Sequence, residues 1–251
     1  MVRNGELYDH IGKFRYWAWG RRASGVVVGI ASAGMGADSK CAVFIDVESG
    51  DQLGQVHGQG LESEFAAAVL TVLCYILGDA ASIEPGRKAE DPHRLVCESS
   101  RYYLMIERQH GKGIAGELEK RGIALAKDAA TQAGAWGVST DRHSRPVYFD
   151  RIAEAILGTA EDEEGRQRAP APVVRIHSSL LVSELRQLVE RDGRVEPQRA
   201  SQHDDLVMAY GIALYSRRRW NRRPALEFPV RQAANRSGGK GSRRSDSIGL
   251  R

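Results

Sequence analysis

Apolar positions in the first half of the chain come in short, dense runs. GVVVGIAS is β-branched and flanked by small residues, which predicts a buried strand. GMGADS is a turn, CAVFIDV a second strand, ESGD a tight turn and QLGQVHGQ a third strand. Connections this short predict an antiparallel meander. The spacing then changes: ESEFAAAVLTVLCYILG predicts a helix, with Ser63 as its N-cap. Residues 79–100 are polar and contain proline, and they predict an excursion. YYLMIER is a fourth strand, GKGIAGELEKRG a helix closed by Gly122, IALAKDA a short strand, and SRPVYFDRIAEAILG a helix from Pro146. AEDEEGRQRAPAP predicts an exposed loop, VVRIHSSLLVSELRQLV a short strand and a helix, and ERDGRVEPQRA a turn-rich crossing. A last apolar helix is opened by two adjacent acids, Asp204 and Asp205.

This order predicts an α/β fold with a mixed sheet. An antiparallel three-strand meander, followed by helix and strand in alternation with parallel strands, is the order of a ribonuclease H-like fold flanked by helices. Residues 25–216 form that domain. Residues 1–24 are a lead-in whose FRYWAWGRR drapes aromatics onto the core. Residues 217–251 are an Arg-, Gly- and Ser-rich tail without periodicity, which predicts disorder.

Composition narrows the class. The chain has 251 residues, 42% of them hydrophobic, enough for a sizeable core. Its longest apolar stretch, FAAAVLTVLCYIL, is too short to span a membrane, and the first residues are too polar for a secretory signal. Cys41, Cys74 and Cys97 are far apart and form no CxxC pair, which argues against structural zinc and fits a reducing cytoplasm. The net charge of +4 is unevenly spread. Residues 217–251 carry eleven Lys and Arg against Glu227 and Asp246, a surplus of nine that leaves the rest of the chain at −5. A mildly acidic body with a basic tail predicts phosphate contacts through the tail, Arg217, Arg218 and Arg219 included, or a merely solvated tail.

The acids carry the candidate chemistry. Glu107 ends a buried strand just before a Gly-containing turn, where α/β sheets open their ligand crevices. Asp204 and Asp205 begin the last helix, and Asp38 lies in the turn after the first meander strand. Converging carboxylates repel one another unless protonated or neutralised by a cation. Oxygen-only ligands suit Mg2+ or Mn2+, and two such ions can clamp the attacking and leaving oxygens of a phosphodiester. The bland alternatives are a helix cap for one Asp and an ion pair for Glu107.

YYLMIERQHGKG, GAWGVST with the following SRP, QHDDLVMAYGIALY and the opening GVVVGIASAGMGADSKCAVFIDVESGDQLGQV together resemble the nuclease domain of the large terminase subunit of tailed bacteriophages. The resemblance runs from Val26 to Tyr215 in the family's motif order. It implies a ribonuclease H-like endonuclease with two divalent metals that cuts concatemeric double-stranded DNA during packaging. The partners it implies are a terminase ATPase domain, a small terminase subunit and a portal, in the cytoplasm of a bacterial host. Glu107 resembles the family's acid on the fourth strand. Asp204 and Asp205 resemble its acidic pair, with Asp205 the stronger choice for direct ligation, and Asp38 resembles an auxiliary ligand. Arg108, His110 and Lys112 fall in the loop that faces DNA phosphates.

The chain departs from that pattern at two points. GIASAGMGADS puts Ala31 where the principal metal-bridging Asp is expected, and a methyl group cannot ligate. This implies an inactivated enzyme, a decayed prophage copy or a domain kept for binding. The sequence also contains no GxxxxGK[ST], so the expectation is a nuclease domain alone. The rival readings are a non-catalytic DNA-binding or assembly module on this fold, or another ribonuclease H-like nuclease of the transposase, integrase or resolvase type.

Overall fold

Strand β4 (Val26–Ser32) is buried along its whole length. Its run of apolar residues does not alternate because both of its faces are covered: Val26, Val28 and Ile30 point into one core and Val27 and Ala31 into another. The computed structural model describes residues 2–3, 6–19, 23–32, 39–78, 101–127, 136–158, 174–191, 194–198 and 204–220. β4 pairs antiparallel with β5 (Lys40–Asp46), which pairs antiparallel with β6 (Gln52–Gly58). On its other side β4 pairs parallel with β7 (Tyr102–Ile106). The meander and its parallel neighbour therefore form as expected, and the fold is α/β with a ribonuclease H-like mixed sheet.

The sheet is larger than the sequence pattern indicates. Residues 1–24, expected as a lead-in, supply β1 (Val2–Arg3), β2 (Glu6–Ile11) and β3 (Phe14–Ala18), and β3 pairs with β6. The seven strands run in the order β1-β2-β3-β6-β5-β4-β7. The aromatics of FRYWA reach the core by strand alternation rather than by draping: Phe14, Tyr16 and Ala18 are buried, while Arg15 faces outward.

Helix α1 (Glu62–Leu77) covers one face with α2 (Lys112–Lys120). Ser63 is not its N-cap; that position is Leu61, and no side chain caps it. α2 ends before Gly122, whose φ of 77° is the left-handed conformation glycine favours. The described residues of IALAKDA contribute isolated bridges through Lys127 and no strand. Helix α3 (Ser144–Leu157) starts two residues ahead of Pro146, because Asp141 accepts the Ser144 and His143 amides at 2.9 and 2.8 Å.

The described residues of the expected strand at VVRI, 174–176, form none. Residues 174–178 lead without a strand into α4 (Ser179–Arg186), and Gln52 N donates to Arg175 O at 2.8 Å. The expected crossing is instead a hairpin of β8 (Leu188–Arg191) and β9 (Arg194–Pro197). The last helix, α5 (Asp205–Arg217), lies with α3 and α4 on the second face and packs on β4 and β5. It rides close to the sheet over Gly29, where a Cβ would fall 2.0 Å from Ala209 O. No helix among the described residues is long and apolar enough to cross a membrane. The excursion at 79–100 and the tail from 221 lie outside the described residues.

Candidate active site

The parallel pair β4–β7 points both C-terminal ends at one edge of the domain. The ladder continues one step beyond β7, since Glu107 N donates to Ile30 O at 2.9 Å. Ile30 faces Ile106 in register, so Glu107 stands beside Ala31. Alternation puts Glu107 on the face of Tyr103 and Met105, the face α5 covers. The turn after it is tight enough to require glycine: a Cβ on Gly111 would meet Ile106 Cγ2 at 2.2 Å and Glu107 O at 2.3 Å.

The Glu107 carboxylate is held from two sides. Oε2 accepts the Ser32 amide at 3.2 Å, and Oε1 accepts the Thr140 hydroxyl. Thr140 arrives there because a parallel bridge between Glu107 and Val138 lays residues 138–140 alongside. On the opposite flank of Ala31, Cys41 is its partner in the β4–β5 register. Asp205 is nearby, close enough that its charge, after burial, helps push the Cys41 thiol upward. Asp205 is 9% exposed and accepts the Ser39 hydroxyl at 2.5 Å. Glu107 and Asp205 thus flank the Ala31 position on a single face of the sheet.

Neither aspartate caps α5 with its side chain. The cap comes from α4: Glu184 Oε2 accepts the Leu206 and Val207 amides at 3.0 and 3.3 Å. Burial, with the charges of Asp205 and Asp204 behind it, pushes the Glu184 carboxyl up to about 8, against the opposing pull of those two amides. Asp204, at the N-cap, forms an ion pair with Arg145 of α3, whose guanidinium also lies 5.5 Å from the Phe149 ring centre. Asp204 therefore has a cationic partner in Arg145.

Other expected residues fall in different places. Arg108 is half-buried, with its amide on Val138 O at 2.7 Å; His110 and Lys112 are exposed just beyond Glu107. Asp38 lies outside the described residues. Arg217, Arg218 and Arg219 are not at this edge. Twelve residues of α5, about 18 Å of helix, separate Arg217 from Asp205. Arg217 donates to the carbonyls of Val47 and Glu48, Arg218 pairs with Glu154 at 2.8 Å, and Arg219 lies over the Tyr215 ring. Asp46 is also remote: it faces Val26 at the far end of β4 and closes a turn through Glu48 and Ser49.

Comparison with known structures bears on the fold. Across 83% of this chain and 89% of the other, the fold matches the large terminase nuclease from thermophilic phage G20c with bound cobalt, and the same nuclease with bound magnesium, each at TM-score 0.51 and 15% identity. The fold is that of a phage large terminase nuclease. A third structure of that G20c nuclease matches at TM-score 0.50 and 15% identity, over 83% of this chain and 90% of that one. No protein-family description matches the chain, and neither does any curated protein.

The donor chemistry at this edge fits a hard divalent cation. The donors are carboxylate and hydroxyl oxygens, and the charge of Asp205 adds to burial in raising the Glu184 carboxyl. Among the described residues, however, no three His, Cys, Asp or Glu side chains converge as a ready ligand set. Ala31 occupies the gap between the two acids. Sequence reasoning missed Glu184, Arg145, Thr140 and Ser39. Glu184 had a visible signal: it interrupts the apolar face of Leu181, Leu185 and Leu188 at helical spacing.

Proposed function

We propose that this chain is a divalent-metal-dependent DNA endonuclease domain, of the kind carried by the large subunit of a phage or prophage terminase, and that it hydrolyses phosphodiesters in concatemeric DNA. The observation that carries the reading is the pair Glu107 and Asp205 flanking Ala31 at the open end of β4 and β7. The likeness to the G20c nuclease, a protein solved with magnesium and with cobalt, supports the choice of fold chemistry.

In this reading Glu107 and Asp205 hold Mg2+ or Mn2+, with Asp38 as a further ligand. The bound cation supplies electrostatic stabilisation of the charge that develops on the phosphodiester oxygens. Thr140 and the Ser32 amide orient Glu107; Ser39 orients Asp205. Glu184 fixes the first turn of α5 and so the direction of Asp205. Arg145 neutralises Asp204, which serves as a reserve ligand rather than a primary one. Arg108, His110 and Lys112 meet the phosphates. The partners are double-stranded DNA, a terminase ATPase domain, the small terminase subunit and the portal, in a bacterial cytoplasm.

Ala31 sets the expected level of activity. Two cations packed closely need more carboxylate than Glu107 and Asp205 provide, so the second ion binds weakly and turnover is low. The same residue favours a second reading, a DNA-binding or assembly module without catalysis. Plasmid nicking separates the two. The chain as it stands, Ala31→Asp, and Ala31→Asp combined with Glu107→Ala are compared in Mg2+ and in Mn2+. The nuclease reading expects Ala31→Asp to raise Mn2+-dependent nicking by orders of magnitude and Glu107→Ala to abolish the gain. Absence of nicking by every variant supports the non-catalytic module.

A further inference from the structure

The pairing registers align one row of residues across the sheet. Arg15 of β3 faces His57 of β6, His57 faces Cys41 of β5, Cys41 faces Ala31 of β4, and Ala31 stands beside Glu107. Directly opposed residues share a face, so the row runs along the floor on which the acidic edge is built. Toward the β3 end this floor opens into a cavity of about 600 Å³. Lys13, Arg15 and His57 line its sheet side, Ser183, Glu184 and Gln187 of α4 its other wall, and Ser39 its inner end. Ser39 is the residue that hydrogen-bonds Asp205. The cavity therefore joins cations at its mouth to Ser39 and Glu184, which bond Asp205 and the first turn of α5, while the floor beyond it at Cys41 and Ala31 is buried.

The cations at the mouth differ from several others on the domain. Arg121, Arg145, Arg151, Arg191 and Arg218 each pair with a carboxylate. Lys13 and Arg15 are exposed and enter no ion pair among the described residues. Their charge is available to an anionic partner. Three strand spacings separate Arg15 from Ala31, about 14 Å, or some four phosphates of one strand along a duplex.

We propose that this groove is the track for the backbone of a DNA strand on one side of the cut, with Lys13, Arg15 and His57 gripping phosphates about four nucleotides from Glu107 and Asp205. The proposal rests on the nuclease reading for the position of the cut. The polar α4 wall suits a sugar–phosphate chain, and a strand entering here passes Ser39 before it reaches Asp205. Base edges have no dedicated reader in the groove, so binding through it is insensitive to sequence.

The test is anisotropy of a fluorescent duplex of mixed sequence, titrated in EDTA at several salt concentrations. Lys13→Gln with Arg15→Gln is compared with Arg175→Gln plus Arg194→Gln, which removes the same charge from exposed sites outside the groove. The groove pair is expected to weaken binding about tenfold and to lower the salt slope by about two, with the control pair close to the unaltered protein. Thermal melting checks the fold, and Lys13→Gln alone, with half the slope change, serves if the double variant is destabilised. Equal losses in both pairs, no loss in the groove pair, or no binding by the unaltered protein would each overturn the proposal. Nicking by Ala31→Asp is scored separately. If it persists with unchanged KM after the groove charges are removed, the track is wrong and the nuclease reading survives. If the groove binds DNA and no variant nicks, the nuclease reading fails and the groove remains a DNA-binding surface.

Discussion

Gly29→Ala probes how α5, and with it Asp205, is seated on the sheet. A Cβ at Gly29 would lie 2.0 Å from Ala209 O and 2.5 Å from Ala213 N. The shorter contact is about 1.4 Å inside ordinary van der Waals separation. Both contacts are to backbone, so no side chain can swing aside and the helix itself must lift. Overpacking of this severity belongs at the upper end of its usual range, about 3 kcal/mol. Replacing a strand glycine returns up to about 1 kcal/mol of chain entropy, which leaves a net loss of about 2 kcal/mol. For a domain of this size that lowers Tm by about 4–8 °C. Urea unfolding measures the loss. Gly116→Ala is the control: it sits in α2 with nothing within 4 Å of the added methyl, and it should gain up to about 1 kcal/mol. The lift also displaces Asp205, so Gly29→Ala in the Ala31→Asp background should lose on the order of a hundredfold in nicking. Unchanged stability for Gly29→Ala would show that α5 does not sit on β4 as described.

Three further outcomes are expected. Glu184 holds its proton up to about pH 8 when folded and to about 4.5 when unfolded, so stability falls as pH rises through that window. Glu184→Gln keeps an acceptor for the two amides but cannot ionise; it should remove this fall, and urea midpoints at pH 5 and 8.5 that drop as they do in the unaltered protein would contradict it. Arg145→Ala removes the guanidinium partner of the Asp204 carboxylate, and a double-mutant cycle with Asp204→Asn should give a coupling of about 1 kcal/mol; strict additivity would deny the ion pair. Deleting residues 221–251 should lower the salt slope of DNA binding, whereas neutralising Arg218 should leave it nearly unchanged, because Arg218 is committed to Glu154.

The dense apolar strands were legible because burial on both faces leaves a continuous run, as in VVVGIAS and YYLMI. β2 and β3 were not, since their alternation is broken by Asp9 on the inward face, opposite Tyr16, and by the aromatic Tyr8 and Trp17 on the outward one. The β8–β9 hairpin was signalled by Asp192-Gly193 between two short polar runs, a strong hairpin dipeptide. Glu107 and Asp205 stood out because each interrupts an apolar element at its end. Their partners did not, because Ser39, Thr140, Arg145 and Glu184 meet them only through tertiary packing, over sequence separations no local pattern records. The basic tail illustrates the converse: its first three arginines look like tail in composition, yet they close the far end of α5 against the body.

The central claim is that Glu107 and Asp205 form one divalent-cation site across Ala31. Anomalous diffraction from crystals soaked in Mn2+ tests it most directly, on the unaltered protein and on Ala31→Asp. The account predicts one peak in contact with the Glu107 and Asp205 carboxylates in the unaltered protein, and a stronger or doubled peak in Ala31→Asp. No peak at that position in either crystal, or manganese bound only elsewhere, would contradict it.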